Sequence, residues 1–177
     1  MKKILLHICC GICASSVVQR LRHEGFKVFG VFYNPNIHLE DEYRRRLGVA
    51  REVCEILKFD LIPADYNKDN WLGQVKGLED EPEGGKRCNL CFKQRLQETA
   101  RKAQESGIDY FATTLSISPH KKAALINKIA KSIGGPIKFF DCDFKKKGGF
   151  ALAIEFAKRY NLYRQNYCGC IYSKQRN

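Results

Sequence analysis

Hydrophobic and polar positions along the chain alternate between two kinds of pattern. Residues 3–8 form a short, nearly continuous apolar run, as expected of a strand buried on both faces. From Cys13 to about His23 the apolar positions recur at helical spacing, and Gly25 supplies a stop. "KVFGVFYNP" at 27–35 predicts a second strand ending at a proline. From Glu40 to Leu57, the positions Leu47, Val49, Ala50, Val53, Cys54 and Leu57 suit a helix, with Arg44, Arg45 and Arg46 on its outer face. "FDLIPADY" reads as a third strand, followed by a less regular stretch holding Trp71 and the acidic "GLEDEPEGGKR".

The second half repeats the alternation. "CNLCFKQRLQETARKAQESG" predicts a helix closed by Gly107, and "DYFATTL" a strand. Pro119 to Ile133 predicts a helix with proline in its first turn. "PIKFFDCD" reads as a fifth strand and Phe150 to Tyr160 as a last helix, while the tail from Asn161 has no clear period. Strand followed by helix, repeated in this way, predicts an α/β protein. Its single domain over 1–177 has a mainly parallel five-stranded sheet flanked by helices. In such sheets, sites form outside the carboxyl ends of the strands. Those ends carry Cys9 and Cys10, then Asn34, then "SISPHKK", then "DCD", so one rim holds most of the unusual residues.

Composition changes the picture in two ways. No stretch approaches the roughly 20 apolar residues of a membrane helix, and the start lacks the long apolar core of a signal peptide; a cytoplasmic protein is expected. Lysine and arginine outnumber aspartate and glutamate by 31 to 19, a formal charge of +12. That excess favours a polyanionic partner, nucleic acid ahead of a merely solubilised surface.

The nine cysteines bear on chemistry. Seven fall in three close-set groups: Cys9, Cys10 and Cys13; Cys88 and Cys91; Cys168 and Cys170. A C-x-x-C pair at a helix start aims two sulfurs at one point, where free N–H groups favour thiolate. In "CGC", Gly169 lets the backbone turn tightly around a bound ion. Seven thiols exceed the four that one tetrahedral site uses. The excess leaves open a cluster plus a second metal, a cluster plus a reactive dithiol, and a structural zinc site on Cys10, Cys13, Cys88 and Cys91. Cys54 reads as core, Trp71 likewise, and Cys142 is ambiguous. "CCGIC" also stands where a nucleotide-using enzyme of this architecture needs a phosphate-binding glycine loop. Metal ligands have taken its place.

"HICCGICAS", "RCNLCFKQRL", "TTLSISPHKK" and "YCGCIYS", in this order from Leu5 to Ser173, together resemble the QueH family of epoxyqueuosine reductases. Where the family carries Ala-Pro after its cysteine pair, this chain has Gly11-Ile12, a change of turn and not of ligand. The resemblance implies a nucleotide alpha-hydrolase-like fold, a [4Fe-4S] cluster, an adjacent second metal expected to be iron, and independence from cobalamin. It implies the last step of queuosine synthesis, the reductive removal of the epoxide oxygen of epoxyqueuosine at the anticodon wobble position of tRNA. By the same resemblance Cys9, Cys10, Cys13, Cys88, Cys91, Cys168 and Cys170 are metal ligands, with Cys10, Cys88 and Cys91 expected on the cluster. An external electron donor is expected, since no nicotinamide fingerprint is visible. Asp141, Asp143 and His120 on the predicted rim are candidate proton donors, with capping or surface duty the alternative. Arg44, Arg45, Arg46, Lys121, Lys122, Lys145, Lys146 and Lys147 are candidates for tRNA phosphates, and Tyr163, Tyr167 and Tyr172 for stacking on bases. Two rival readings are a cluster-bearing thiol–disulfide enzyme similar to heterodisulfide reductases, and a zinc module that binds RNA without catalysis.

Overall fold

The structure is a computed structural model, and it describes residues 1–174. Five strands form one parallel sheet: β1 (Lys2–His7), β2 (Phe26–Val31), β3 (Leu61–Ile62), β4 (Tyr110–Thr113) and β5 (Lys138–Phe139), in the order β3-β2-β1-β4-β5. Chain order runs outward from β1 on one side and then, after a long crossover, outward on the other. The crossover puts a topological switch beside β1, where open α/β sheets place their sites.

Alternation along β1 sends its side chains to two different layers. Ile4 and Leu6 pack with α1 (Gly11–His23), α2 (Glu40–Leu57) and α6 (Gly149–Arg159). Leu5 points the other way and packs with Ala103 at the end of α4 (Lys86–Glu105). Next to it, Phe92, Leu96 and Ala100 of α4 meet Phe111, Ile126 and Ala130, the last two on α5 (Ala123–Lys131). Each of the leucine, isoleucine and phenylalanine side chains, fully buried, stabilises by about 1.5–3 kcal/mol. Gly11 has a particular duty: a Cβ there would stand 2.8 Å from the Val49 carbonyl carbon and the Ala50 nitrogen. The glycine lets the start of α1 abut α2, so its place in "CCGIC" is a packing requirement as well as a turn.

Four expectations need correction. The strands expected over 59–66 and 136–143 shrink to Leu61–Ile62 and Lys138–Phe139, because edge strands have only one neighbour to pair with. The helix expected from Pro119 begins only at Ala123; Thr114–Ile117 is a 3-10 turn, and a further turn carries 118–121. The irregular stretch around Trp71 contains a helix, α3 (Lys68–Gln74), whose N-cap Asn67 accepts from the Asn70 N–H at 3.0 Å. Arg46 is not on an outer face; it is 2% exposed. The tail folds into a loop and a single helical turn, α7 (Ile171–Lys174).

Candidate metal centre and substrate cavity

The strand ends and the tail loop enclose two adjoining cavities. The first, about 710 Å³, is lined by Cys9, Cys10, Cys13 and Cys168, with Asn36, His120 and Gln165 among its polar walls. The second, about 360 Å³, is lined by Cys88, Cys91, Cys168 and Cys170. Cys168, Arg95, His120, Lys121 and one carboxylate, Glu83, belong to both linings. All seven grouped cysteines therefore border one continuous region, although they come from the beginning, middle and end of the chain.

The local structure explains each delivery. β1 ends at His7, a buried imidazole held between the Thr113 hydroxyl and the Tyr33 carbonyl, each 3.0 Å away. Nε2–H donates to the carbonyl, so Nδ1 accepts from Thr113. Burial, reinforced by the Arg95 charge, holds the ring neutral by lowering its pKa to about 3. Cys9 follows, its N–H donating to the Thr114 hydroxyl at 3.0 Å while that hydroxyl donates to the Cys9 sulfur at 3.2 Å. Cys10 is the N-cap of α1 and Cys13 lies in the first turn. The Cys13 thiol, working against burial and aided by the Cys13 N–H, brings Cys10 down to about pKa 7. Gln165 lies 3.2 Å from the Cys10 sulfur.

On the second cavity, Cys88 and Cys91 occupy the first turns of α4. The Gly84 N–H donates to the Cys88 sulfur at 3.2 Å. Burial raises Cys91 to about pKa 11, with Arg95 opposing. The tail loop is drawn in by Arg46, whose guanidinium donates to the Cys168 carbonyl at 3.0 Å and the Tyr167 carbonyl at 3.1 Å, and pairs with Glu42 at 2.6 Å. Gly169 adopts φ +103° with its Cα hydrogens against that guanidinium. The tight turn foreseen at Gly169 exists, and it closes around Arg46.

Two cations stand between the thiol groups. Arg95 is 2% exposed, has no carboxylate partner, and reaches only Asn34 Oδ1 and the Cys91 carbonyl, both at 3.3 Å. Its Nη2 has no partner. Burial disfavours its charge, yet the surrounding Cys91, Cys168, Cys9 and Cys88 raise its pKa further. Lys121, half-buried, is also favoured as a cation against burial, by Cys168 and Cys9 and to a lesser extent by Glu83. A buried cation without a counter-ion is expensive, so this region is built for negative charge. Thiolates gathered by a metal would supply it, and metal binding would remove the protons that burial otherwise keeps on Cys91. The donor set thus fits a thiolate-bound metal centre. Among the described residues, no three donors already converge on one point.

Placement of the other expected residues is mixed. His120 lines both cavities. Asp141 and Asp143 line neither: Asp141 accepts from Asn127 at 2.6 Å and pairs with Lys131, and Asp143 accepts from the Lys145 N–H at 3.0 Å. The structure groups Cys10 with Cys9 and Cys13, and gives Cys88 and Cys91 Cys168 and Cys170 as neighbours. Arg44 is exposed and paired with Glu40, and Arg45 lies over the Tyr163 ring at 4.8 Å. Lys121 and Lys122 border the second cavity, Lys145 donates to the Ser118 and Lys121 carbonyls, and Lys146 and Lys147 are exposed. The three tyrosines are engaged internally: Tyr163 with Glu42, Tyr167 with the His38 carbonyl, Tyr172 with Trp71 and Arg87. Cys54 is buried in the core, and Cys142 borders neither cavity. Sequence reasoning placed Asn34 on the rim but missed Arg95, Asn36 and Gln165. "RCNLCFKQR" did carry a signal for Arg95, which lies one turn after Cys91 on the same helix face.

Sheet order, switch point and site define a nucleotide alpha-hydrolase-like α/β protein with thiols in place of a phosphate cradle. The same fold appears in the solved U34-tRNA thiolase NcsA from Methanococcus maripaludis, determined with its [4Fe-4S] cluster. The TM-score is 0.62 at 14% identity, over 97% of this chain and 61% of that one. The family model for epoxyqueuosine reductase QueH matches residues 4–176. Several proteins named epoxyqueuosine reductase QueH are similar to this chain over most of its length. That of Streptococcus pyogenes is 40% identical over 96% of this chain and 69% of its own. That of Acinetobacter baylyi is 39% identical over 97% and 80%, and that of Thermotoga maritima 34% identical over 98% and 91%. This chain belongs to the QueH family of epoxyqueuosine reductases.

Proposed function

We propose that this chain is an oxidoreductase that removes the epoxide oxygen of epoxyqueuosine in tRNA, giving queuosine. The observation that carries the reading is that seven thiols and two cations, Arg95 and Lys121, line two adjoining cavities at the strand ends in a chain of the QueH family. The reaction takes two electrons and two protons and releases water. An iron–sulfur cluster and a neighbouring iron, held by thiols from Cys9, Cys10, Cys13, Cys88, Cys91, Cys168 and Cys170, would supply single electrons and a Lewis acid for the oxygen. No cobalamin is needed for that chemistry, and the electrons come from a separate donor.

The chain's own groups do the rest. Arg95 neutralises charge gathered on the thiols. Lys121 and His120, bordering both cavities, can hold a proton where oxygen leaves. Ile12, Ile37, Phe150 and Ile154 give the larger cavity an apolar portion of its wall. Lys122, Lys146, Lys147 and Arg45 are exposed on the surrounding surface and suit tRNA phosphates. No described helix is long and apolar enough to cross a membrane, and tRNA as substrate supports action in the cytoplasm.

The test is anaerobic reconstitution with iron and sulfide, followed by incubation with epoxyqueuosine tRNA and a low-potential reductant, without cobalamin. Nucleoside analysis is expected to show queuosine in place of epoxyqueuosine. Iron-replete protein that leaves the epoxide intact overturns the reading, and one zinc with no retained sulfide overturns the cluster.

A further inference from the structure

One side chain of the larger cavity is built for a partner and has none among the described residues. Asn36 follows β2 in a loop fixed from several sides. The Ile37 N–H donates to the Asn34 carbonyl at 3.2 Å, the His38 N–H to the Gly169 carbonyl at 2.8 Å, and the Tyr66 hydroxyl to the Ile37 carbonyl. The Asn36 carbonyl itself lies 2.9 Å from His38 Nδ1. The neighbouring Asn34 uses its whole side chain, donating to the Ile8 carbonyl at 2.8 Å and accepting from Arg95. Asn36 uses none of its own. It is 1% exposed, both Nδ2 and Oδ1 lack partners, and it lines the cavity that holds Cys9, Cys10 and Cys13.

A buried carboxamide with neither group satisfied is rare and unfavourable, and such groups mark sites that a partner completes. A donor and an acceptor side by side match one chemical pattern closely: a cyclic amide, with its N–H and C=O adjacent. Guanine-type bases present that lactam edge, and the 7-deazaguanine core of epoxyqueuosine retains it. Charged partners fit less well, since phosphate offers acceptors only.

We propose that Asn36 reads the lactam edge of the wobble base, Nδ2 donating to the base carbonyl and Oδ1 accepting its ring N–H. The proposal rests on the reductase reading given above and refines it. Held in this way, the base lies in the larger cavity with its 7-substituent free to reach the thiol wall. The rigid loop means that the contact costs little ordering when the base enters.

The experiment compares wild type, Asn36→Ala and Asn36→Asp, each reconstituted anaerobically, for iron content, visible spectrum, melting temperature and steady-state kinetics. Binding of epoxyqueuosine tRNA and of the same tRNA with plain guanosine at the wobble position is measured in parallel. Asn36→Ala is expected to raise KM and weaken binding of both tRNAs by on the order of 10- to 100-fold, with iron content and spectrum as in wild type. Asn36→Asp keeps the shape but sets oxygen against the base carbonyl, and is expected to bind at least as weakly. Unchanged affinity in both variants overturns the proposal, as does a loss confined to epoxyqueuosine tRNA, which puts the contact on the 7-substituent. A changed iron content or spectrum with unchanged KM also overturns it, making Asn36 a neighbour of the metal. The wild-type arm separates the two readings, because failure of wild type to reduce epoxyqueuosine tRNA rejects the reductase assignment itself.

Discussion

Arg95 donates to the Asn34 side-chain oxygen at 3.3 Å, and Asn34 in turn donates to the Ile8 carbonyl at 2.8 Å. A helix-borne cation is thereby tied to the ends of the two central strands, in the wall shared by both cavities. The charge is held in place by neutral groups alone, which leaves it free to act on whatever the thiols bind.

This arrangement predicts opposite effects of one substitution in two states of the protein. Arg95→Met removes a buried, uncompensated cation, so metal-free protein is expected to melt at the same temperature as wild type or higher. Metal affinity is expected to fall on the order of 10- to 100-fold, as for other groups that support a metal centre through its ligands. Differential scanning calorimetry of stripped protein and iron retention after dilution check the two halves. A lower melting point in the stripped variant sinks the argument.

Gly169→Ala tests the tail loop. At φ +103°, a Cβ would stand 2.9 Å from Arg46 Nη1 and 3.0 Å from Ile37 Cγ1. The left-handed backbone alone costs about 1–2 kcal/mol, and the guanidinium must also move off the Cys168 carbonyl. The expected result is a lower denaturation midpoint together with faster loss of iron to a chelator. A variant that retains iron as wild type does would mean the loop tolerates the side chain.

His7 predicts acid sensitivity. Its folded pKa of about 3, set by burial and then Arg95, lies below the unfolded value of 6.5, so the unfolded chain binds the extra proton first. The stability that neutral His7 contributes is complete above pH 6.5 and is lost as pH falls toward 3. At about 1.4 kcal/mol per decade, the loss reaches at most about 4–5 kcal/mol. Urea titrations of wild type and His7→Gln between pH 7 and 4, roughly the window those values define, are expected to show a shallower acid slope in the variant. Parallel slopes refute the assignment.

The basic residues divide by what they touch. Lys122→Gln and Lys146→Gln, both at exposed lysines, are each expected to weaken tRNA binding and reduce the salt slope by about 1. Arg44→Gln is expected to change it less, because Glu40 already holds that guanidinium at 2.7 Å. Fluorescence anisotropy over a salt series distinguishes them; equal slopes for all three variants would argue against phosphate contact.

Much of this was legible in the sequence because it depends on local pattern. α2 follows its periodicity from Glu40 to Leu57 without adjustment, and the cysteine spacing placed Cys10, Cys13, Cys88 and Cys91 at helix starts. What could not be read depends on tertiary partners. Arg46 stands among three consecutive arginines, and nothing local separates the one that turns inward to Glu42 and Cys168 from the two that stay outside. Asn36 looks like any polar loop residue until its surroundings show that nothing satisfies it. The carboxylates at Asp141 and Asp143 sit at a strand end as expected, but α5 and the local turn already occupy them.

Arg46 also has a consequence for how the molecule is made. Its carbonyl partners lie 121 and 122 residues further along, so during synthesis the guanidinium must wait until the segment around Tyr167 and Cys168 has left the ribosome. The same late segment brings Cys168 and Cys170. An interrupted product therefore lacks both the contacts that settle the helix and half of the second thiol group. Delivery of this late segment and completion of the grouped thiols are one event, and a fragment that stops short of it presents at most five of the seven grouped sulfurs.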